Sequence, residues 1–372
     1  MVEEAHQKDI MDVLGKLRRR NKEDSAKVKD AKSGKILYSF VPAVGYTLST
    51  GLVGLLSANA AFYLSDKATT NISSVSTSFN YTQYNQITIP LLVNIWTKNN
   101  GYNIIMDWRY FKYPQDTYGL GGHSLEANAD KIEYSHIRLH QVFLKNITGA
   151  FYGGIGYFLD YRWKIKEEGE NADVSRYGLT SKSVSSGLMM NLLYDNRKNS
   201  INPLKGLYVN ARYRPNLTGL GSDTNWQSLF LEVRKYYNFP KGSQNTLAFW
   251  NLNWLTLTGK PPYLDLPSTS WDPSNNTGRG YIQGRFRSPN MLYAESEYRF
   301  ALMQNGLFGG VVFANAQSFS NWPTRKFDKI APGAGFGIRV KVNKTSRTNI
   351  AVDYGFGAGG SRGLFVNLGE VF

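Results

Sequence analysis

The stretch Arg362–Phe372, RGLFVNLGEVF, decides the fold. Leu364, Val366, Leu368 and Phe372 face one way and Phe365, Asn367 and Gly369 the other, which is the period of two that a β-strand imposes. The sequence stops on an aromatic, with no following helix to cover the apolar face. Such a strand suits a closed barrel in lipid better than a soluble sheet, because the bilayer holds no water to satisfy an open sheet edge.

Composition supports this reading. The 372 residues would make two soluble domains or one large barrel. Aromatics reach 14%, with 24 Tyr and 8 Trp, while mean hydropathy is only -0.37. A helical membrane protein would be more apolar; a spanning strand needs only about ten residues, half of them facing water. The absence of Cys excludes disulfides, thiolate metal sites and thiol nucleophiles, and it fits an oxidising envelope compartment. The net charge of +15 comes from Lys and Arg scattered along the alternating segments. Nucleic acid is therefore not expected as a partner, since it needs a clustered basic face with stacking aromatics. Outer-membrane lipid headgroups or a periplasmic partner are the expected counter-charge. Met1-Val2-Glu3-Glu4 begins acidic and lacks an apolar export signal, so the reading expects that signal to have been removed from this numbering.

Two regions are expected. Residues 1–36 form a periplasmic tail: Ile10, Val13, Leu14 and Leu17 share one face of a short amphipathic α-helix that would dock on a partner or in the barrel mouth, and a polar tether follows. Residues 37–372 form an all-β, transmembrane antiparallel β-barrel of about 16 strands. In Asn103–Lys112 the lipid face is Ile104, Met106, Trp108 and Tyr110, with Asp107 and Arg109 in the lumen. In Ala334–Val342, Arg339 and Lys341 oppose an apolar set. Short turns (Lys98–Gly101, Gln304–Gly306, Asn343–Ser346) alternate with long loops (Pro114–Lys131, Lys164–Lys182, Thr258–Pro289), which places both termini on the periplasmic, short-turn side of an outer membrane. Val41–Leu64 is broken by Pro42, Gly45, Gly51 and Gly54 and reads as a hairpin turning at Ser49-Thr50-Gly51, not as a membrane helix.

Gly278-Arg279-Gly280-Tyr281 lies inside the longest loop. Its glycines permit close approach to a wall, and a guanidinium in a lumen needs acceptors. The next strand supplies Glu295, Glu297 and Arg299 to the lumen, and the one after it Asn315 and Gln317.

Here the chain resembles the BamA/TamA-type outer-membrane assembly and translocation barrels, a family that also includes two-partner-secretion translocators. Arg279-Gly280-Tyr281 resembles the family's loop-six tip, in which the arginine folds into the barrel. Ala294-Glu295-Ser296-Glu297-Tyr298 looks like the following strand, with Glu297 as acidic partner, and Phe313-Ala314-Asn315-Ala316 like the next, where the family has Asp at the place of Asn315. Asp195-Asn196-Arg197 through Pro203-Leu204-Lys205-Gly206 resembles the turn before strand nine, and Phe365-Val366-Asn367-Leu368-Gly369 with Phe372 resembles the terminal strand signal. The match spans about residues 38 to 372. Because of Asn315, the resemblance leaves Arg279 one formal anion in place of two, or a lock made with Glu295 or Asp353 instead. The family's periplasmic polypeptide-binding modules have no counterpart, so a short member without them is expected.

The resemblance implies assisted insertion or translocation of proteins, or of lipids, at the seam between first and last strands. Pro42 and Gly45 in the first strand and Gly369 near the last would weaken that seam. Expected partners are outer-membrane lipids, unfolded outer-membrane proteins, a periplasmic or outer-membrane protein, or a second copy of the chain. A passive or plugged pore and a barrel subunit of a larger envelope complex are the alternatives. No enzyme, cofactor or metal is expected. Gly359-Gly360-Ser361-Arg362-Gly363 matches G-x-S-x-G only formally, since it feeds a strand and not a helix. His136 and His140 share a strand face but stand ~13 Å apart.

Overall fold

The structure, a computed structural model, describes residues 7–10, 12, 36–169, 171–344 and 346–372. The strands are β1 Leu37–Thr47, β2 Gly51–Phe62, β3 Ser73–Thr82, β4 Ile87–Trp96, β5 Tyr102–Lys112, β6 Gln115–Thr117, β7 Asp130–Thr148 and β8 Phe151–Glu167. They continue as β9 Lys182–Asp195, β10 Gly206–Asn216, β11 Trp226–Asn238, β12 Thr246–Gly259, β13 Asn290–Ala301, β14 Phe308–Phe319, β15 Ala331–Asn343, β16 Thr348–Gly357 and β17 Arg362–Leu368. Apart from the three-residue β6, which adds to the end of β7 beyond β5, each strand pairs antiparallel with its successor. The result is an all-β meander of sixteen long strands that curls until β1 and β17 meet.

Alternation sets the two faces of this wall. Phe143, Ile155, Leu188, Met190 and Leu192 stand exposed on the outside of β7–β9, where lipid covers apolar surface, while His136, Asp160 and Asn191 are buried on the inside. On β5, Trp108 is exposed while Asn103 and Phe111 are buried; on β15, Phe336 and Ile338 are exposed while Arg339 and Lys341 are buried. These assignments match the expected faces. The long loops 113–129, 168–181 and 260–289 share one end and pack into a cap built on Tyr113, Ile165, Val174, Tyr177, Tyr263 and Leu266. Tyr177 donates to the Pro261 carbonyl at 2.7 Å, and Tyr263 and Thr117 share a 2.6 Å hydrogen bond. Burial raises both phenol pKa values, so neither hydroxyl ionises at neutral pH.

The opposite end carries short turns and the described part of the tail. Ile10 and Asp12 are helical and Ile10 is half-buried; Val13, Leu14 and Leu17, with the rest of the expected helix and tether, lie outside the described residues. This segment crosses two turns. The Lys8 amide donates to the Asn305 carbonyl at 3.0 Å, Lys341 Nζ to Gln7 Oε1 at 3.0 Å, and Lys344 Nζ pairs with Asp12 at 2.9 Å.

One expectation fails. The last strand does not run to Phe372: β17 ends at Leu368, and Gly369, at φ 98°, turns the chain inward. That left-handed conformation favours glycine. Glu370 then meets Arg339 Nε at 2.8 Å and Asn349 Nδ2 at 2.7 Å, while Phe372, 3% exposed, packs 5.2 Å from the Trp250 ring in the lumen core. A buried carboxylate with partners and an aromatic out of water favour this path over an extended edge.

Candidate functional site

The loop between β12 and β13 folds back into the lumen and presents Arg279 to the inner faces of β13 and β16. Gly278 and Gly280, at φ 77° and 109°, form the tight approach that only glycine makes readily. A Cβ on Gly355 of β16 would lie 2.7 Å from the Gly280 nitrogen, and one on Gly357 would lie 2.6 Å from the Tyr281 ring. The wall is therefore cut away where the tip docks. Tyr281 fixes the tip further, donating to the Pro332 carbonyl at 2.6 Å and accepting from the Ala358 amide at 2.7 Å. Ser361 Oγ donates to the Gly280 carbonyl at 2.9 Å, so the residue of the formal G-x-S-x-G match holds a loop and sits in no nucleophile elbow.

Arg279 is 2% exposed and touches three carboxylates: Asp353 at 2.7 Å, Glu297 at 2.5 Å, and Glu295. It also lies 3.7 Å above the Phe313 ring. The sequence reading offered one anion, with Glu295 or Asp353 as substitutes; all three converge. Asn315 does not touch the guanidinium, and its Nδ2 donates to the Arg279 carbonyl at 2.9 Å. An amide does there what a carboxylate cannot, because it supplies a donor to a backbone oxygen.

The contacts extend into a closed circuit. Glu297 pairs with Arg299, Arg299 Nε lies 3.7 Å from Glu370, Glu370 meets Arg339 at 2.8 Å, and Arg339 meets Asp353 at 2.5 Å. Asp353 returns to Arg279. Three arginines and three carboxylates thus alternate around a ring, with Glu295, which also accepts from Tyr293, attached at Arg279. Arg299 donates in addition to the backbone oxygen of Phe372 at 2.7 Å. Loop tip, lumen wall and the segment after β17 are one network.

Sequence reasoning missed Arg299 and Arg339 as members of the site, and Glu370 altogether. A usable signal was the run of inward positions Gly333, Gly335 and Gly337 facing Gly355 and Gly357 across β15 and β16, a shelf with no side chains. His136 and His140 meet at one carboxylate. Asp160 of β8 stands opposite Arg138, between the two histidines, and takes 2.9 Å and 2.8 Å hydrogen bonds from their Nε2 atoms.

At the seam, Leu48 packs against Gly363 near the long-loop end. Among the described residues no ladder register joins β1 to β17, whereas every other long neighbour is paired. Pro42 lies opposite Leu56 of β2, and Tyr38, Ser39, Phe40, Pro42, Ala43 and Val44 are all exposed.

The Omp85 superfamily domain profile matches residues 67–363, well over half of the chain. The fold is similar to BamA from Haemophilus ducreyi lacking POTRA domains 1-3, with a TM-score of 0.59, 14% identity and coverage of 90% of this chain and 70% of that one. It is also similar to CdiB from Acinetobacter baumannii, with a TM-score of 0.59, 11% identity and coverage of 90% of this chain and 60% of that one. No curated protein matches the chain in sequence. With the wall, the inwardly folded loop and its arginine in place, the chain belongs to the Omp85 superfamily of outer-membrane β-barrels.

Proposed function

We propose that this barrel assists the insertion or translocation of other outer-membrane proteins, with the β1–β17 seam as the working edge. The observation that carries the reading is the lack of a paired register between β1 and β17 among the described residues, where all other long neighbours are laddered. An unpaired strand edge templates an incoming strand by β-augmentation. Pro42 contributes no backbone donor to β1, and β17 stops at Leu368, so the side of β1 turned away from β2 is left without a paired strand among the described residues. The Arg279 network would act as the fixed internal support of that edge, and the tail at the turns around Asn305 and Lys344 as a docking point for a periplasmic partner.

A steady open pore is the weaker reading, because the 260–289 loop and the residues after Gly369 occupy the lumen. The decisive experiment joins one cysteine in β1 to one in β17, a clean design because the chain has no Cys. In cells depleted of the native protein, the reduced form should restore the outer-membrane protein inventory and the oxidised form should not. Full complementation by the oxidised form would remove the seam from the mechanism.

A further inference from the structure

Between the inner wall of β5 and β7–β12 and residues 264–274 of the inward loop lies a cavity of about 370 Å³, within the range of small-molecule sites. Trp226, Phe230 and Trp254 form much of its apolar side. Four carboxylates reach it, and each is already engaged. Asp107 is held by Arg109 at 2.5 Å, Asp160 by Arg214 at 2.9 Å, Asp265 by Arg162 at 2.6 Å, and Glu232 by Arg234 at 2.5 Å. Arg138, also on the lining, shares Asp160 at 3.2 Å. Arg212 remains.

Among the described residues Arg212 has neither ion pair nor hydrogen bond, and its Nε is buried without an acceptor. Its guanidinium lies 4.1 Å over the Phe230 ring, which Trp254 braces edge-on at 5.9 Å. A guanidinium in such a place lacks the planar acceptor that its fork is shaped to receive. An aromatic wall beside one unmatched cation selects a molecule with a single anionic head and an apolar body.

We propose that this cavity binds an organic anion with a single acidic head, a carboxylate or phosphate carried on an aromatic or aliphatic body, with Arg212 taking the head group and Trp226, Phe230 and Trp254 the body. The site is separate from the Arg279 ring and from the seam. Arg138 and Arg214 share Asp160 and every other lining arginine has a carboxylate of its own except Arg212, so a neutral molecule of the same shape binds worse than an anion.

The test uses the full-length protein in detergent with trifluoromethylbenzoate as probe, followed by fluorine NMR. Saturable binding near or below about 1 mM is expected. Arg212→Gln should weaken it at least tenfold, Arg212→Lys should weaken it less, and trifluoromethylbenzyl alcohol should bind at least tenfold more weakly than the acid. Heat-modifiable migration checks that the variants are assembled; if Arg212→Gln fails that check, the comparison of acid and alcohol on the wild type decides. Displacement of the probe by dihexanoyl phosphatidic acid assigns the site to a lipid head group, and failure to displace it assigns the site to a soluble organic anion. Equal binding of acid and alcohol, unchanged affinity in an assembled Arg212→Gln protein, or no saturation would each overturn the proposal.

Discussion

Replacing Arg279 by Ala tests whether the ring is a desolvated network or a set of loose contacts. The side chains of Arg279, Glu295, Glu297 and Asp353 are all at most 2% exposed, so screening by water is weak. Removing one partner of a buried pair costs about 3–5 kcal/mol, because a charge is left uncompensated. The circuit shows where that cost falls. Glu297 keeps Arg299 and Asp353 keeps Arg339, whereas Glu295 is left with the Tyr293 hydroxyl alone. Arg279→Ala should therefore lose about 3–5 kcal/mol of unfolding free energy. Glu295→Gln, which removes the surplus anion and leaves three arginines facing three carboxylates, should lose about 1 kcal/mol or less. The double variant should recover about 1–3 kcal/mol relative to Arg279→Ala. Urea unfolding in detergent, followed by tryptophan fluorescence, measures all three. An Arg279→Ala loss below about 1 kcal/mol, or no recovery in the double variant, would rule out a desolvated ring, since either result means that water already satisfies these groups.

Gly355→Ala places a methyl group 2.7 Å from the Gly280 nitrogen, so the loop tip should lift and residues 273–278 should become cleavable by added protease in the otherwise folded barrel. Asp160→Asn leaves His136, His140, Arg138 and Arg214 without their shared anion and should destabilise by about 3 kcal/mol in the same urea assay. Lys344→Ala breaks a pair whose side chains are 43% and 34% exposed and should shift stability by less than about 1 kcal/mol. Deleting residues 1–35 removes the docked tail; loss of co-purifying periplasmic proteins with the barrel still heat-modifiable is the expected result, and unchanged co-purification counts against a docking role.

The wall was legible because alternation is a local signal. Asn103–Lys112 and Ala334–Val342 carry their faces in their own residues, and a slip of one position would put Asp107 or Arg339 in lipid. Glu295 and Glu297 were legible as lumen groups for the same reason. Asp353 could be offered only as a substitute, since its contact with Arg279 spans 74 positions and depends on how the loop refolds across the barrel. The inward turn at Gly369 was hidden because Phe372 keeps the period of the preceding strand, and nothing local distinguishes a glycine at φ 98° from one in a strand. The two histidines show the converse. Their spacing spoke against a common metal, and what it could not show is that a carboxylate on the neighbouring strand, halfway between them, serves both.

The ring fixes more than a loop. At its upper end β17 follows Ser361, which grips Gly280, and at its lower end Glu370 is moored to Arg339, so the last strand is clamped at both extremities. β1 is laddered to β2 alone, and its chain-start end has no such anchor among the described residues. If the two strands part, β17 behaves as the door jamb and the β1–β2 hairpin as the leaf that swings.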